Sequence, residues 1–350
     1  MIGPYGRAAT REGLSRRGML ERLDQFMARA NALYYAARDP FADFTTAPEI
    51  SQVFGEILGL WAAVVWDAFG RPTPVSLVEA GPGRGTLMAD ALRAIRTRAP
   101  EFAAAASVHL IETSPRLRTL QAQAVPGAVW HDRLEQLPPC PIMLLANEFL
   151  DALPIRQFVQ RGASWFERFA ADGALVEQPA EPIETVLNAS ARLEATDEPR
   201  VIEVNEVALG FVAEAARHIR THGGAALFID YGPAEPASGD SLQAVRGGRF
   251  TDALSGPGSA DLTAHVDFPA LAAEAARHGV VVRGPIPQGV FLTRLGLFQR
   301  TDRLARGQPP ARASALIEAT KRLVEPDQMG RLFKAFALCH PNLVLPGFEE

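Results

Sequence analysis

Residues 76–98 read SLVEAGPGRGTLMADALRAIRTR and predict a strand, a glycine loop and a helix in direct succession. Leu77, Val78 and Ala80 form the short apolar run that is typical of a buried parallel strand. Apolar residues then recur at helical spacing as far as Ile95. Three glycines lie between the two patterns, at Gly81, Gly83 and Gly85. Glycine tolerates positive φ and leaves main-chain N–H groups open to a ligand, so the stretch predicts a ligand cradle.

The glycine spacing indicates which ligand this cradle suits. A dinucleotide fingerprint has the spacing G-x-G-x-x-G and holds pyrophosphate at the helix N-terminus. Here the pattern is E-x-G-x-G-x-G, with Glu79 before the loop and Pro82 within it. A carboxylate at this point repels pyrophosphate and suits an ammonium or sulfonium group, as in S-adenosylmethionine-dependent methyltransferases. The alternative is an ordinary glycine-rich turn between a strand and a helix.

Composition excludes several classes of protein. Hydrophobic residues make up 47% and charged residues 21% of the 350 residues, which indicates a globular chain with one large domain or one domain plus an insertion. The formal net charge is −5, and no basic stripe with interleaved aromatic residues predicts nucleic-acid binding. No apolar run approaches the roughly 18 residues of a membrane span.

Cysteine usage and the N-terminus bear on the compartment. Cys140 and Cys339 lie far apart and have no metal-type spacing, which favours a reducing compartment and leaves a single disulfide open. The arginine-rich start resembles a transit peptide, but Glu12, Glu21 and Asp24 interrupt it. We therefore expect a soluble, cytoplasmic protein and no metal.

Acids follow successive predicted strands. The strand at Val108–Ile111 is followed by Glu112, and the strand at Ala128–Trp130 is followed by Asp132. The strand at residues 142–146 precedes NEFLDALP, and ALFIDYG is a fifth strand with Asp230 near its end. Strands alternate with helices, which predicts a doubly wound parallel sheet with ligands at the carboxyl ends of its strands. Each acid alone has an alternative, a solvated acid at a strand end.

The segments outside this alternation predict a cover and an insertion. Residues 1–70 form an N-terminal helical cover, in which Thr46 and Glu49 have capping-box spacing. Thr45, Thr46 and Glu49 exceed what one cap needs and are predicted to face a ligand, the cofactor. Residues 71–154 and 206–350 form the α/β domain, and residues 155–205 form a small antiparallel flap that partly roofs the acceptor groove. The proline- and glycine-rich residues 233–268 are predicted to be a long loop. Helical patterns at Gly289–Arg306 and Ala311–Leu323 predict C-terminal helices.

Five sequence blocks in this order resemble the MidA family of methyltransferases, which includes the mitochondrial complex I assembly factor, a protein arginine methyltransferase. The blocks are DFTTAPEISQVFGE, EAGPGRGTLM, NEFLDALP, LFIDYG and ADLTAHVDF, starting at residues 43, 79, 147, 227 and 260. The resemblance implies a seven-stranded class I methyltransferase fold and S-adenosyl-L-methionine as cofactor. It implies a complex I subunit as protein substrate, in the bacterial cytoplasm or, in a eukaryote, the mitochondrial matrix.

The resemblance also implies roles for single residues. Glu79 and the three glycines form the first cofactor motif, Glu112 holds the ribose, and Asp132 lies beside the adenine. Residues 147–154 lie beside the transferable methyl group. The chain departs from the family at Phe41-Ala42-Asp43, where a longer glycine-containing connection is expected. It also departs at Gly248, where relatives often have histidine.

An arginine acceptor requires carboxylates, because its guanidinium stays protonated at neutral pH. Glu148 and Asp151 are predicted to hold it, and Asn147 to orient the acceptor nitrogen; the alternative for Asn147 or Asp151 is a helix N-cap. His265 and Asp267 could line the same cleft. Three functions stay open: a protein arginine methyltransferase, a small-molecule methyltransferase, and a non-catalytic assembly protein that retains the fold.

Overall fold

The computed structural model describes residues 20–38, 45–191 and 199–349. The strands are β1 (Glu21–Arg22), β2 (Val75–Ala80), β3 (Ala106–Ile111), β4 (Val129–His131), β5 (Ile142–Asn147), β6 (Arg156–Arg161), β7 (Ser164–Ala171), β8 (Ala174–Pro179), β9 (Arg200–Val204), β10 (Gly224–Tyr231), β11 (Gln243–Arg246), β12 (Arg249–Thr251), β13 (Asp261–Thr263), β14 (Val281–Pro287) and β15 (Phe333–Cys339). The helices are α1 (Leu23–Ala37), α2 (Ala47–Ile50), α3 (Gln52–Ala68), α4 (Thr86–Arg98), α5 (Pro100–Ala105), α6 (Pro115–Ala124), α7 (Glu184–Ala191), α8 (Glu206–His222), α9 (Phe268–Ala276), α10 (Gln288–Arg294), α11 (Leu297–Ala305), α12 (Pro310–Val324) and α13 (Met329–Leu332).

A seven-stranded sheet with the order β14-β15-β10-β5-β2-β3-β4 organises the described part of the chain. Strands β10, β5, β2, β3 and β4 pair in parallel, so their carboxyl ends meet at one edge. Helices α3 and α4 pack on one face of the sheet, and α8 and α9 pack on the other. The predicted α/β fold class is confirmed.

The sheet is mixed rather than wholly parallel. Strand β15 lies between β10 and β14 and is antiparallel to both. The sequence analysis missed this strand, although all seven residues of FKAFALC are buried. Because β15 comes last in the chain, its place between two earlier strands is a long-range pairing that local periodicity does not show.

Three local predictions were wrong. The residues predicted to form one loop at 233–268 contain the three-stranded sheet β12-β11-β13, with Gly248 at φ +70° in its hairpin turn. The helix predicted from Thr46 breaks after α2, and Ser51 caps α3 by accepting the Val53 N–H at 3.3 Å. The Thr46 side chain makes no capping hydrogen bond. The pattern predicted as one helix from Gly289 is divided into α10 and α11.

The inserted residues form an antiparallel sheet that includes the N-terminal strand. Strands β6, β7, β8 and β9 pair in antiparallel fashion, and β1 joins them by pairing with β7. The departure at Phe41-Ala42-Asp43 lies outside the described residues. Among the helices described, none is long and apolar enough to cross a membrane.

Helices α3 and α4 approach each other closely through a glycine. A Cβ built on Gly59 lies 2.6 Å from the Cα of Ala91 and 2.8 Å from its carbonyl oxygen, so the backbones themselves are in contact. This contact fixes the position of α4, and therefore of the glycine loop that precedes it.

Gly59→Ala should lower the free energy of unfolding by about 1–3 kcal/mol, because the methyl group overpacks against the α4 backbone. Gly210→Ala is the matched control, since Gly210 is also within a helix and a Cβ there meets nothing within 4 Å. That variant should gain about 0.5–1 kcal/mol from helix propensity. Urea unfolding measures both, and a shift of the two midpoints in the same direction would contradict the packing argument.

Candidate active site

The loop between β2 and α4 has the backbone geometry of a cradle. Gly81, Gly83 and Gly85 have φ values of +64°, +54° and +84°. A Cβ on Gly81 lies 2.7 Å from Cδ2 of Phe149, so a larger residue there displaces the turn after β5. Gln121 of α6 donates from Nε2 to the carbonyl oxygen of Gly83 at 2.8 Å and holds the loop from outside.

A cavity of about 760 Å³ extends from this loop across the carboxyl ends of β2, β3, β4 and β5. Helices α1, α2 and α8 supply the remaining walls. No described residue of the predicted flap at 155–205 lines the cavity, so the described part of the flap does not form its walls.

Acids dominate the polar part of the cavity wall. Among the described residues, seven carboxylates and two arginines line it: Glu49, Glu79, Glu112, Asp132, Glu135, Glu148 and Glu214, with Arg84 and Arg133. The cavity therefore suits a cationic ligand better than an anionic one.

Glu79 lies at the base of the cradle with an unused acceptor. Its side chain is buried at the end of β2, and Oε2 has no hydrogen-bond partner. Burial raises the pKa of Glu79 to about 8. A buried oxygen without a partner is costly, so a ligand that donates N–H groups to it is stabilised here.

Glu112 and Asp132 lie at neighbouring strand ends in different environments. Glu112 accepts the Ser114 N–H at 2.7 Å through Oε1 and the Gln121 amide at 3.2 Å through Oε2. Burial raises the pKa of the Glu112 carboxyl. Asp132 is exposed and pairs with Arg118 at 2.7 Å. The structure thus brings both predicted acids to the cavity wall, together with Glu79.

Asn147 and Glu148 present acceptors at the end of β5. Glu148 has φ +50°, which is unusual for a residue with a side chain. Its Oε1 accepts the Ala47 N–H at 3.0 Å and the Asn147 amide at 3.0 Å, whereas Oε2 accepts no hydrogen bond from the described residues. Asn147 Oδ1 is buried without a partner. Burial raises the pKa of Glu148 to about 7.

Asp230 holds the turn that carries Glu148. Its Oδ2 accepts the N–H groups of Phe149, Leu150 and Asp151 at 3.1, 2.9 and 3.3 Å. Burial, and next the neighbouring Asp151, raise the pKa of Asp230. The predicted strand-end acid is therefore a structural anchor and does not line the cavity.

Asp151 does not fit its predicted place beside Glu148. It is buried and does not line the cavity, and its Oδ1 has no hydrogen-bond partner among the described residues. The turn after β5 is irregular rather than helical, so residues three apart do not share a face, and neither Asn147 nor Asp151 caps a helix. Direct contact between Asp151 and an acceptor has no support in this geometry.

Some of the remaining predicted site residues line the cavity, and the others lie elsewhere. Thr46 and Glu49 line the cavity, whereas Thr45 and Gly85 do not. Gly85 instead caps α4. His265 does not line the cavity; its ring packs edge-on against Tyr231 with centroids 5.7 Å apart. Asp267 accepts the Ala270 N–H at 2.9 Å and caps α9.

The sequence analysis missed one wall of the cavity, helix α1. Asn31 donates from Nδ2 to the carbonyl oxygens of Ala152 at 3.0 Å and Leu262 at 2.8 Å, and its Oδ1 accepts the Leu262 N–H at 3.0 Å. Tyr35 donates from its hydroxyl to Asp261 at 2.8 Å. The only local signal was the row of alanines at positions 28, 32 and 36, which indicates a close approach of that face to something else.

Comparisons with solved structures agree with this architecture. A protein from Burkholderia thailandensis, solved bound to S-adenosyl-homocysteine, has a TM-score of 0.75 at 24% identity, and the match covers 95% of this chain and 89% of that chain. A native structure from the same organism has a TM-score of 0.76 at 26% identity with the same coverage. The fold is therefore shared over almost the whole chain.

Comparisons of sequence give the family. The protein arginine methyltransferase NDUFAF7 of Danio rerio, a mitochondrial protein, is 33% identical over 341 residues, which cover 87% of this chain and 79% of that protein. The mitochondrial NDUFAF7 of Homo sapiens is 35% identical over 339 residues, which cover 87% and 76%. Methyltransf_28, a family of S-adenosyl-L-methionine-dependent methyltransferases, matches residues 57–286. The chain belongs to this family, which confirms the resemblance stated from the sequence blocks.

Proposed function

We propose that this methyltransferase methylates an arginine side chain of a protein, and that the protein is a subunit of respiratory complex I. The observation that carries the proposal is the arrangement of Glu148 and Asn147, which leaves two oxygen acceptors without hydrogen-bond partners among the described residues at one end of an acidic cavity. The names of the relatives support the arginine acceptor. The complex I subunit, in a bacterial cytoplasm or a mitochondrial matrix, follows from the resemblance to the MidA family.

The residues of the cavity suit S-adenosyl-L-methionine, which supplies an electrophilic methyl group on a sulfonium when bound. Glu79 Oε2 lacks a donor and would accept from the ammonium group. Glu112 would accept from the ribose hydroxyls and Asp132 from the adenine amino group. The backbone at Gly81 and Gly83 allows a close approach because no Cβ intervenes.

Glu148 would hold the acceptor through its second oxygen. The two N–H groups on Oε1 fix the carboxylate in one orientation, so Oε2 is positioned before the acceptor arrives. A guanidinium donates to Oε2 and to Asn147 Oδ1, which localises its charge and turns one nitrogen toward the methyl group. The nitrogen forms a bond to the methyl carbon as the carbon–sulfur bond breaks, and the electron pair stays on sulfur. The acceptor then releases one N–H proton to a carboxylate and water.

The direct test of this function is the chemical identity of the product. Proteins from source cells that lack this chain are incubated with the purified protein and S-adenosylmethionine labelled in its methyl group, and the product is hydrolysed to amino acids. We expect label in methylarginine, and intact-mass analysis of complex I subunits should locate it. Label in methyl-lysine, or in a metabolite alone, would exclude the proposal.

Gly83→Val should weaken S-adenosyl-homocysteine binding by more than about tenfold, since a side chain at positive φ distorts the cradle and occupies the space of the ligand. Gly127→Val is the control, because Gly127 also has a positive φ of +87° and a Cβ there meets nothing within 4 Å. Calorimetry measures both. Equal S-adenosyl-homocysteine affinity for wild type and Gly83→Val would show that the glycine loop is not part of the cofactor site.

Activity should rise with pH through Glu148 ionisation. Its pKa of about 7 means that the carboxyl is largely protonated below that pH and binds a guanidinium weakly. The value of kcat/KM for the acceptor should therefore increase with a midpoint near pH 7 and level off above it. Glu148→Gln should lower kcat/KM by at least about 30-fold and remove this rise. A fully active Glu148→Gln enzyme would contradict the assignment.

A further inference from the structure

Helix α2 is hydrogen-bonded to Glu148 in the turn after β5. The N–H of Ala47, its first residue, donates to Glu148 Oε1 at 3.0 Å. The helix has only four residues and ends at Ile50, and α3 begins separately at Gln52. Within it, the Glu49 N–H donates to the Thr46 carbonyl oxygen at 3.0 Å. Glu49 therefore lies two residues from the group that fixes Glu148, on an element that belongs to the cavity wall.

The two carboxylate oxygens of Glu49 differ in their hydrogen bonding in the same way as those of Glu148. Its Oε1 accepts the Thr86 hydroxyl at 2.5 Å, which ties the side chain to the first residue of α4. Its Oε2 accepts no hydrogen bond from the described residues, and the side chain lines the cavity. Each of the two glutamates thus has one oxygen held by the protein and one oxygen left for a ligand.

A guanidinium needs more than one carboxylate oxygen to fix its plane, because its five N–H donors form a rigid fork. Asp151, the acid predicted for this role, is buried and does not line the cavity. At the end of the cavity formed by α2 and β5, the third unused acceptor is Asn147 Oδ1, which is buried without a partner. Glu49 lines the same cavity and belongs to the helix whose first N–H donates to Glu148.

We propose that Glu49 is the second catalytic carboxylate of the acceptor site, contacting the guanidinium from α2 while Glu148 contacts it from the turn after β5. This inference rests on the proposed arginine methylation. Two carboxylates offset the two positive charges of a sulfonium and a guanidinium, whose mutual repulsion would otherwise oppose their approach. When the nitrogen–methyl bond has formed and the sulfur has become neutral, one N–H proton leaves to Glu49 or Glu148 and then to water.

The competing assignment is that Glu49 holds the ammonium group of the cofactor, since Thr86 opens the helix that follows the cradle. S-adenosyl-homocysteine separates the two assignments, because it keeps the ammonium group and needs no acceptor. The test variant is Glu49→Gln, whose amide oxygen can still accept the Thr86 hydroxyl. The control variant is Glu318→Gln, which removes one negative charge from an exposed pair with Lys321.

For Glu49→Gln we expect S-adenosyl-homocysteine affinity within about twofold of wild type by calorimetry. Methylarginine formation should fall by at least about 30-fold, whereas Glu318→Gln should match wild type in both measurements. Thermal unfolding with and without S-adenosyl-homocysteine should show the same ligand-induced shift in Tm for Glu49→Gln and wild type, which establishes that the variant is folded.

Two results for Glu49→Gln would overturn the inference alone. A loss of more than about tenfold in S-adenosyl-homocysteine affinity would assign Glu49 to the cofactor. Unchanged methylarginine formation would show that Glu49 does not act in the acceptor site. A wild-type protein that binds S-adenosyl-homocysteine but forms no methylarginine would overturn the proposed function first, and this inference with it.

Discussion

The acceptor end of the cavity depends on one carboxylate that never contacts the cavity, Asp230. Its Oδ2 accepts hydrogen bonds from three consecutive N–H groups, those of residues 149–151. These bonds connect the turn after β5 to the end of β10. That turn has Glu148 at φ +50°, a conformation that costs a residue with a Cβ about 1–2 kcal/mol. The hydrogen bonds to Asp230 and the strand pairing offset this cost, and the result is a carboxylate aimed into the cavity.

The same region contains buried polar atoms that have no hydrogen-bond partner among the described residues. Glu79 Oε2 and Asn147 Oδ1 are buried without partners, and burial raises the pKa of Glu79 and of Glu148. A core built for stability alone would not retain such groups. Cationic ligands with N–H donors would satisfy both atoms and favour the ionised carboxylates, so the chemistry of the unfilled acceptors and the family membership point to the same class of ligand.

The cover of the cavity is assembled from distant parts of the chain. Asn31 of α1 bonds to Leu262, 231 positions away, and to Ala152, 121 positions away. Helix α2 reaches Glu148 through the Ala47 N–H. Because these hydrogen bonds join remote segments of the chain, no spacing in the sequence predicts them.

The sequence by itself determined the β2–loop–α4 cradle and the acids at the ends of β3 and β4, because strand burial, helical periodicity and glycine spacing are local properties. Only the tertiary structure decided which acids after β5 and β10 face the cavity. Glu148 and Asp151 are equally suitable in type and spacing, yet the backbone rotation at Glu148 turns that side chain toward α2. Asp151, by contrast, is buried and does not line the cavity. Side-chain direction in an irregular turn is set by backbone dihedrals that packing imposes, which is why Glu148 lines the cavity and Asp151 does not.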